Sequence, residues 1–170
     1  MSTQEATFDF DEFFRAHYTR IARTVARVVG DHARAEELAG EAFWKLSRNP
    51  QAFGEKAGGW VYRTAVRLAL NDLRGRKRRN HYEQMSGPGP VALTPEEVHA
   101  AAEEREHVRL VLASLSERDA ELLLLRSGGL PYVEVAAALD LNPASVGTMI
   151  SRAQQAFRKE YVKQYGENER

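Results

Sequence analysis

Apolar residues recur along this chain at intervals of three and four and do not alternate, so the pattern predicts helices throughout and no strand. From Phe13 to Val29, the residues Phe14, His17, Tyr18, Ile21, Ala22, Val25, Val28 and Val29 share one face, and Gly30 follows where a left-handed terminating residue belongs. From Ala33 to Ser47 the pattern repeats through Ala35, Leu38, Ala39, Ala42, Phe43 and Leu46, and Asn49-Pro50 breaks it. Residues 51 to 58 read as a loop with a short helical turn. A further helix begins near Gly58-Gly59-Trp60 and continues to about Arg74.

Periodicity then lapses. Residues 80 to 93, NHYEQMSGPGPVAL, carry Gly87-Pro88-Gly89-Pro90 and read as a flexible linker. Thr94-Pro95-Glu96-Glu97 matches a capping box with proline at the first helical position. The helix it opens places Val98, Ala101, Arg105, Val108, Leu112 and Leu115 along one side. Ser116 caps the next, which carries Leu122 to Leu125 and stops at Gly128-Gly129. A short helix from Pro131 to about Asp140 buries Val135, Ala136 and Leu139. After the turn Leu141-Asn142-Pro143, with Asn142 as N-cap, a last helix carries Val146, Met149, Ile150, Ala153 and Phe157 as its apolar stripe. The prediction is an all-α protein: a helical unit over 8–79, a linker over 80–94 and a second helical unit over 95–165.

The final pair has helix-turn-helix form, in which the second helix enters the DNA major groove with its early residues toward base edges. Ser145, Thr148, Ser151, Arg152 and Gln155 lie off the apolar stripe, free for that use. The plainer alternative is a helical hairpin that only packs. Arg63, Arg67 and Arg74 fall within about 40° of one another on the helix from Trp60. Trp60 and Tyr62 lie close by, and a basic block of Arg76, Lys77, Arg78 and Arg79 follows. Aromatic rings beside a cationic stripe suit single-stranded DNA, since bases stack on rings while phosphates are neutralised. The competing reading puts both rings in the core and leaves the arginines solvated. On helix 33–47, Glu36, Glu37 and Glu41 form an acidic face with Trp44 and Lys45 beside it, the composition of a protein-docking surface.

Composition narrows the function classes. Of 170 residues, 43% are hydrophobic and 28% charged, as in a soluble globular protein. With no cysteine, disulfides and thiolate metal sites are excluded. The acidic N-terminus is unlike a signal peptide, and no apolar run reaches the roughly 20 residues of a membrane span, so a cytoplasmic protein without membrane insertion is expected. Net charge is zero, but the cationic block at Arg74–Arg79 and an acidic one of Glu96, Glu97, Glu103, Glu104 and Glu106 are segregated, and local patches govern binding more than their sum. Glu96-Glu97-Val98-His99 and Glu104-Arg105-Glu106-His107 each have the Glu-x-x-His spacing of di-iron bundles. Both fall on one continuous helix and cannot converge on a metal. No catalytic triad, phosphate loop or glycine fingerprint occurs, so neither an enzyme nor a cofactor is expected.

Four segments in this order and spacing, ARAEELAGEAFWKL (33–46), GGWVYRTAVRLALNDLRGRKRR (58–79), LASLSERDAELLLLR (112–126) and PYVEVAAALDLNPASVGTMISRAQQAFRK (131–159), resemble an extracytoplasmic-function sigma factor of the sigma-70 family, from about residue 8 to 163. The resemblance implies two small helical domains, sigma regions 2 and 4. It implies a transcription-initiation factor that binds core RNA polymerase and recognises the −10 and −35 elements of promoter DNA, aiding melting. By position, Glu37, Glu41 and Trp44 look like contacts to the polymerase clamp. Trp60, Tyr62, Arg63 and Arg67 would face the opened −10 strand, and Arg74, Arg76, Lys77, Arg78 and Arg79 would hold duplex phosphates. Asn142 to Lys159 is similar to the −35 reader, with Asn142, Ser145, Thr148, Ser151 and Arg152 at or near bases and Arg126 and Lys159 on phosphates. The linker would thread toward the RNA exit path. An anti-sigma factor is a further implied partner, and no domain beyond the second unit is implied. Three departures from the family pattern involve four positions. Arg67 stands where Asn is frequent, Gly147 and Met149 stand where basic residues are frequent, and Gly40 replaces a polar clamp-contacting residue at a helix cost of up to about 1 kcal/mol. A conventional helix-turn-helix repressor or activator, with a ligand-sensing or dimerising first unit, is the rival reading; it predicts tight binding to a palindromic site without polymerase.

Overall fold

The helix starts are fixed by side-chain caps. In the computed structural model, which describes residues 7–84 and 96–166, Asp9 accepts a hydrogen bond from the Glu12 backbone N–H at 3.0 Å and starts α1 (Phe10–Val29). This cap extends α1 ahead of Phe13, where the apolar period begins. Gly30 ends it at φ +72°, its N–H bonded to the Ala26 carbonyl. Asp31 caps α2 (His32–Ser47) through Arg34 N at 3.1 Å, and a short 3-10 turn follows at Pro50–Ala52.

Helix α3 spans Ala57–Gln84, well past Arg74. Between Gly75 and Gln84 there is no proline, and the Arg76–Arg79 block is made of good helix formers, so nothing stops the helix where the apolar period fades. Residues 80–84, expected to begin the linker, are instead the last turn of α3; the rest of the expected linker and the Thr94-Pro95 part of the capping box lie outside the described residues. Helix α4 covers Glu96–Ser114. Ser116 caps α5 (Glu117–Ser127) through Asp119 N at 3.1 Å. Pro131 is the N-cap of α6 (Tyr132–Leu139) rather than its first residue, and Asp140 closes it in a left-handed conformation at φ +56°. Asn142 accepts from Ala144 N at 3.0 Å, and Pro143 opens α7 (Pro143–Tyr165) as expected. Among the described residues all regular structure is helical.

In the first unit α1, α2 and α3 pack mutually, burying Ile21, Val25 and Val28 against Leu38, Phe43, Leu46, Val61 and Leu70. Phe13, Phe14 and Tyr18 line up around Phe43, with the Phe14 and Phe43 rings 4.9 Å apart and edge-on. In the second, α5, α6 and α7 bury Leu122, Leu125, Val135, Leu139, Val146 and Ile150. The two units are not independent beads. Helix α3 packs against α4, α5 and α6, and the buried apolar residues of both halves form one continuous cluster.

Candidate nucleic-acid and polymerase interfaces

Helix α7 is oriented from within. Val146, Ile150 and Ala153 are buried, with Met149 and Phe157 half-buried on the same side. Ser145, Thr148, Ser151, Arg152 and Lys159 are all exposed and fall within an arc of about 120° on the opposite side. Asn142 and Arg126 are exposed too. The Arg126 guanidinium donates to the Leu130 carbonyl at 3.1 Å and lies 5.1 Å from the Tyr132 ring centroid, which holds it at the helix-turn-helix edge. Gly147 has a structural reason: a Cβ there would meet the Tyr132 ring at 3.2 Å. The seven residues expected to read or grip duplex DNA in this unit are therefore all accessible, and the five on α7 share one side.

The second candidate surface is on α2. Glu37, Glu41 and Trp44 are exposed, and Trp44 is 60% accessible, a large apolar ring left open to solvent. Arg34 reaches Glu37 at 2.9 Å and Asp72 at 2.8 Å; the hydrogen bonds to Glu37 and then Asp72 raise its already high pKa. Arg48 lies 5.4 Å from the Trp44 ring centroid, so the ring is held by a cation rather than buried.

The third surface, on α3, differs from expectation. Tyr62 is corrected: it is 4% exposed, and its hydroxyl is hydrogen-bonded to Thr24 of α1, so it packs in the core and cannot face a strand in this arrangement. Trp60 is half-buried against the same core. Arg63 and Arg67 are partly exposed but already engaged within the chain. Both converge on Glu121 of α5, with Arg67 Nε at 2.5 Å and Arg63 Nε at 3.7 Å. Arg74 donates to the Ala113 and Leu115 carbonyls at 3.3 and 3.2 Å, and Lys77 donates to Ser114 Oγ at 2.7 Å. Arg76 donates to the Val29 carbonyl and lies 3.5 Å from Glu106. Arg78 and Arg79 remain exposed.

Four residues outside the expected sites join the units, Arg20, Arg109, Glu121 and Gly128, and Thr24 anchors Tyr62 beside them. Arg20 Nε donates to the Gly128 carbonyl at 3.0 Å, and Arg109 Nε donates to the Arg27 carbonyl at 3.0 Å. Glu121 carried a readable signal, since it is a lone acid one helical turn before Leu125 on the apolar side of α5. His17 lies near this junction. Its pKa is lowered from 6.5, chiefly by burial and secondarily by Arg20, against an opposing pull from Glu134 of α6.

An apolar cleft lies where α1 meets α4, α5 and α7, floored by Val28, Leu112, Leu124 and Phe157 and rimmed by Arg27, Arg105 and Arg126, with Glu104 the one acid among its lining residues. Among the described residues no cluster of three or more potential metal ligands occurs, and no helix is long and apolar enough to cross a membrane.

Known proteins resemble this chain in sequence and in fold. The family model for Sigma-70 region 2 matches residues 13–79, and that for Sigma-70, region 4 matches residues 105–156. The ECF RNA polymerase sigma factor SigE of Mycolicibacterium smegmatis is 28% identical over 172 residues, covering 96% of this chain and 66% of that protein. The ECF RNA polymerase sigma factor SigK of Mycobacterium tuberculosis is 29% identical over 156 residues, covering 88% of this chain and 82% of that one. Two solved structures share the fold. CnrH, in complex with the cytosolic domain of CnrY, gives a TM-score of 0.56 at 18% identity over 88% of this chain and 85% of its own. The sigma factor RpoE, in complex with the anti-sigma factor NepR from Bartonella quintana, gives 0.52 at 16% over 89% and 96%.

Proposed function

The chain belongs to the extracytoplasmic-function sigma factors of the sigma-70 family, and from that premise we propose that it binds core RNA polymerase in the cytoplasm and directs initiation at promoters carrying its −10 and −35 elements. The observation that carries this reading is the pairing, within one chain, of both family regions with an exposed polar face on the recognition helix. In this role the chain makes and breaks no covalent bond; its work is binding and positioning.

Arg152, Ser151, Thr148 and Ser145 on α7 read the −35 duplex in the major groove, Asn142 fixes the helix start beside it, and Arg126 and Lys159 hold flanking phosphates. With Gly147 and Met149 in place of cations, fewer contacts there are ionic. On α3, Trp60 stacks on an opened −10 base while Arg63 and Arg67 take its phosphates, and the run Arg74, Arg76, Lys77, Arg78 and Arg79 follows the upstream duplex. Each stacked base contributes about 1–3 kcal/mol toward melting. Glu37, Glu41 and Trp44 dock on the polymerase. Each DNA-binding unit alone is weak. Tethering both on one polymerase makes the second contact intramolecular, which raises affinity without new interactions. The division into a first unit from residue 8, ending with α3 at Gln84, and a second unit over 95–165 belongs to the same proposal.

An anti-sigma factor is the expected regulator. Both solved relatives were captured with partner proteins, one of them an anti-sigma factor. The apolar, arginine-rimmed cleft at the junction offers an amphipathic acidic helix a seat.

Co-purification tests the reading. Tagged full-length chain mixed with core polymerase is expected to elute as a complex by gel filtration, and Trp44→Ala to weaken it. A chain that elutes separately from polymerase overturns it.

A further inference from the structure

Resting on the reading of α3 as the strand-binding helix, we propose that the free chain is shut by an internal latch: α5 of the second unit occupies the nucleic-acid face of α3, with the Glu121 carboxylate standing in for a DNA phosphate.

Three independent features of the junction converge on this. The first is charge. Glu121 is 1% exposed, yet no cation of its own unit is paired with it among the described ion pairs; its partners are Arg63 and Arg67 of α3. A carboxylate is removed from water at high cost unless cations meet it, and here those cations come from the other half of the chain. The second feature is the use of helix ends. Arg63 donates to the Ala138 carbonyl at 3.4 Å, at the end of α6, and Arg74 to the Ala113 and Leu115 carbonyls at the end of α4. Arg20 meets the Gly128 carbonyl at the end of α5. The last carbonyls of a helix are unsatisfied and carry partial negative charge, so they present to a guanidinium what a phosphate oxygen presents. Arg63, Arg67 and Arg74, three of the arginines assigned to DNA, are thus spent on protein oxygens of the second unit.

The third feature is close approach. A Cβ on Gly59 at the start of α3 would lie 3.2 Å from both Cα and Cβ of Ala138. A Cβ on Gly128 would overlap the Tyr62 hydroxyl and meet Thr24 Oγ1 at 3.0 Å. Glycine at these two positions permits this contact between units. Neither has the positive φ that would otherwise demand it.

The latch is built to release. Arg63 Nε is buried without a hydrogen-bond partner, held only by the 3.7 Å approach of Glu121. A phosphate reaching both guanidinia would satisfy what Glu121 leaves open. Polymerase docking, by pulling the units to separate promoter elements, would free α3 when it is needed. A sigma factor closed in this way keeps its strand-binding face masked without a second protein, while the exposed face of α7 stays open.

The chain has no cysteine, so cysteines placed at the exposed positions Gln51 and Lys163 carry spin labels for inter-unit distance measurement on the full chain. A single narrow distribution is expected. Glu121→Gln, which removes the carboxylate charge, and Gly59→Gln, which wedges the contact without changing charge and raises helix propensity, are each expected to broaden it and shift it to longer distance. Both are expected to bind a fluorescent 20-nucleotide oligothymidylate at least tenfold more tightly. Circular dichroism checks that the helices persist, and Gly59→Gln keeps the test decisive if Glu121→Gln unfolds. A broad wild-type distribution, or a narrow one that Gly59→Gln leaves unchanged, overturns the latch. Run-off transcription with core polymerase separates the two proposals. An open yet transcriptionally active wild type sinks only the latch. Opening by Gly59→Gln without tighter oligothymidylate binding sinks the reading of α3 as the masked strand-binding face, and the latch's purpose with it.

Discussion

Replacing Tyr62 by phenylalanine separates two roles that one ring could play. In the structure the hydroxyl bonds Thr24 Oγ1, which also donates to the Arg20 carbonyl at 3.2 Å, so Thr24 keeps one partner when the phenol oxygen is lost. The change therefore removes one buried hydrogen bond without stranding a donor, at a cost of about 1 kcal/mol. For a chain of this size that lowers Tm by roughly 2–4 °C. Thr24→Val removes the same bond from the other side, so the double variant should be less destabilised than the sum, with a coupling of about 1 kcal/mol. Tyr62→Ala empties a core site beside Gly128 and should cost about 3–5 kcal/mol. Thermal melts and urea titrations of the four variants and the wild type give the stabilities. Run-off transcription gives the function, which Tyr62→Phe should leave within about twofold because the ring persists. If Tyr62→Phe melts like wild type, shows no coupling to Thr24, and yet loses tenfold or more in transcription, the hydroxyl serves DNA and the core assignment is wrong.

Other surfaces give further expectations. Trp44→Ala should weaken core-polymerase binding by about 2 kcal/mol, roughly thirtyfold in Kd, and leave stability within about 0.5 kcal/mol because the ring is exposed; equilibrium binding and melts check both. Arg152→Ala should reduce promoter occupancy by about 1–3 kcal/mol in a polymerase-dependent footprint and leave non-promoter binding nearly unchanged, whereas Lys159→Ala should weaken both and lower the salt dependence. His17 has a pKa below 6.5 in the folded chain, so the unfolded chain binds more protons as pH falls through 6.5, and stability declines until the folded-state pKa has been passed. Urea midpoints between pH 7.5 and 5 should fall less in His17→Gln than in wild type.

Much of this architecture is written in short-range chemistry. The caps Ser116 and Asn142, the stop at Gly30 and the stripe from Val146 to Phe157 are local features, and each lies where periodicity and capping rules place it. The start of α1 and the end of α3 were displaced for opposite reasons. Asp9 adds a turn ahead of the apolar period, and beyond Arg74 no breaker exists to end a helix whose charged residues need no core. On α7 the exposed set follows from the buried set, since one face of a helix fixes the other. On α3 that logic fails, because two units compete for the same face. Periodicity identifies Arg63 and Arg67 as lying off the apolar side and Glu121 as an acid on one, but is silent about their pairing, since Glu121 lies 54 residues beyond Arg67. Tyr62 misled for a related reason: an aromatic beside a basic stripe reads equally as a stacking platform or as core, and only the position of Thr24 decides between them.

The central claim is that this chain, joined to core RNA polymerase, selects promoters. Run-off transcription with purified core polymerase on a pooled promoter library tests it most directly. Discrete transcripts that appear only when chain and core are both present, and that share upstream sequence at two elements, are the predicted result. No chain-dependent transcript, together with nanomolar binding of the free chain to a palindromic duplex, would contradict it.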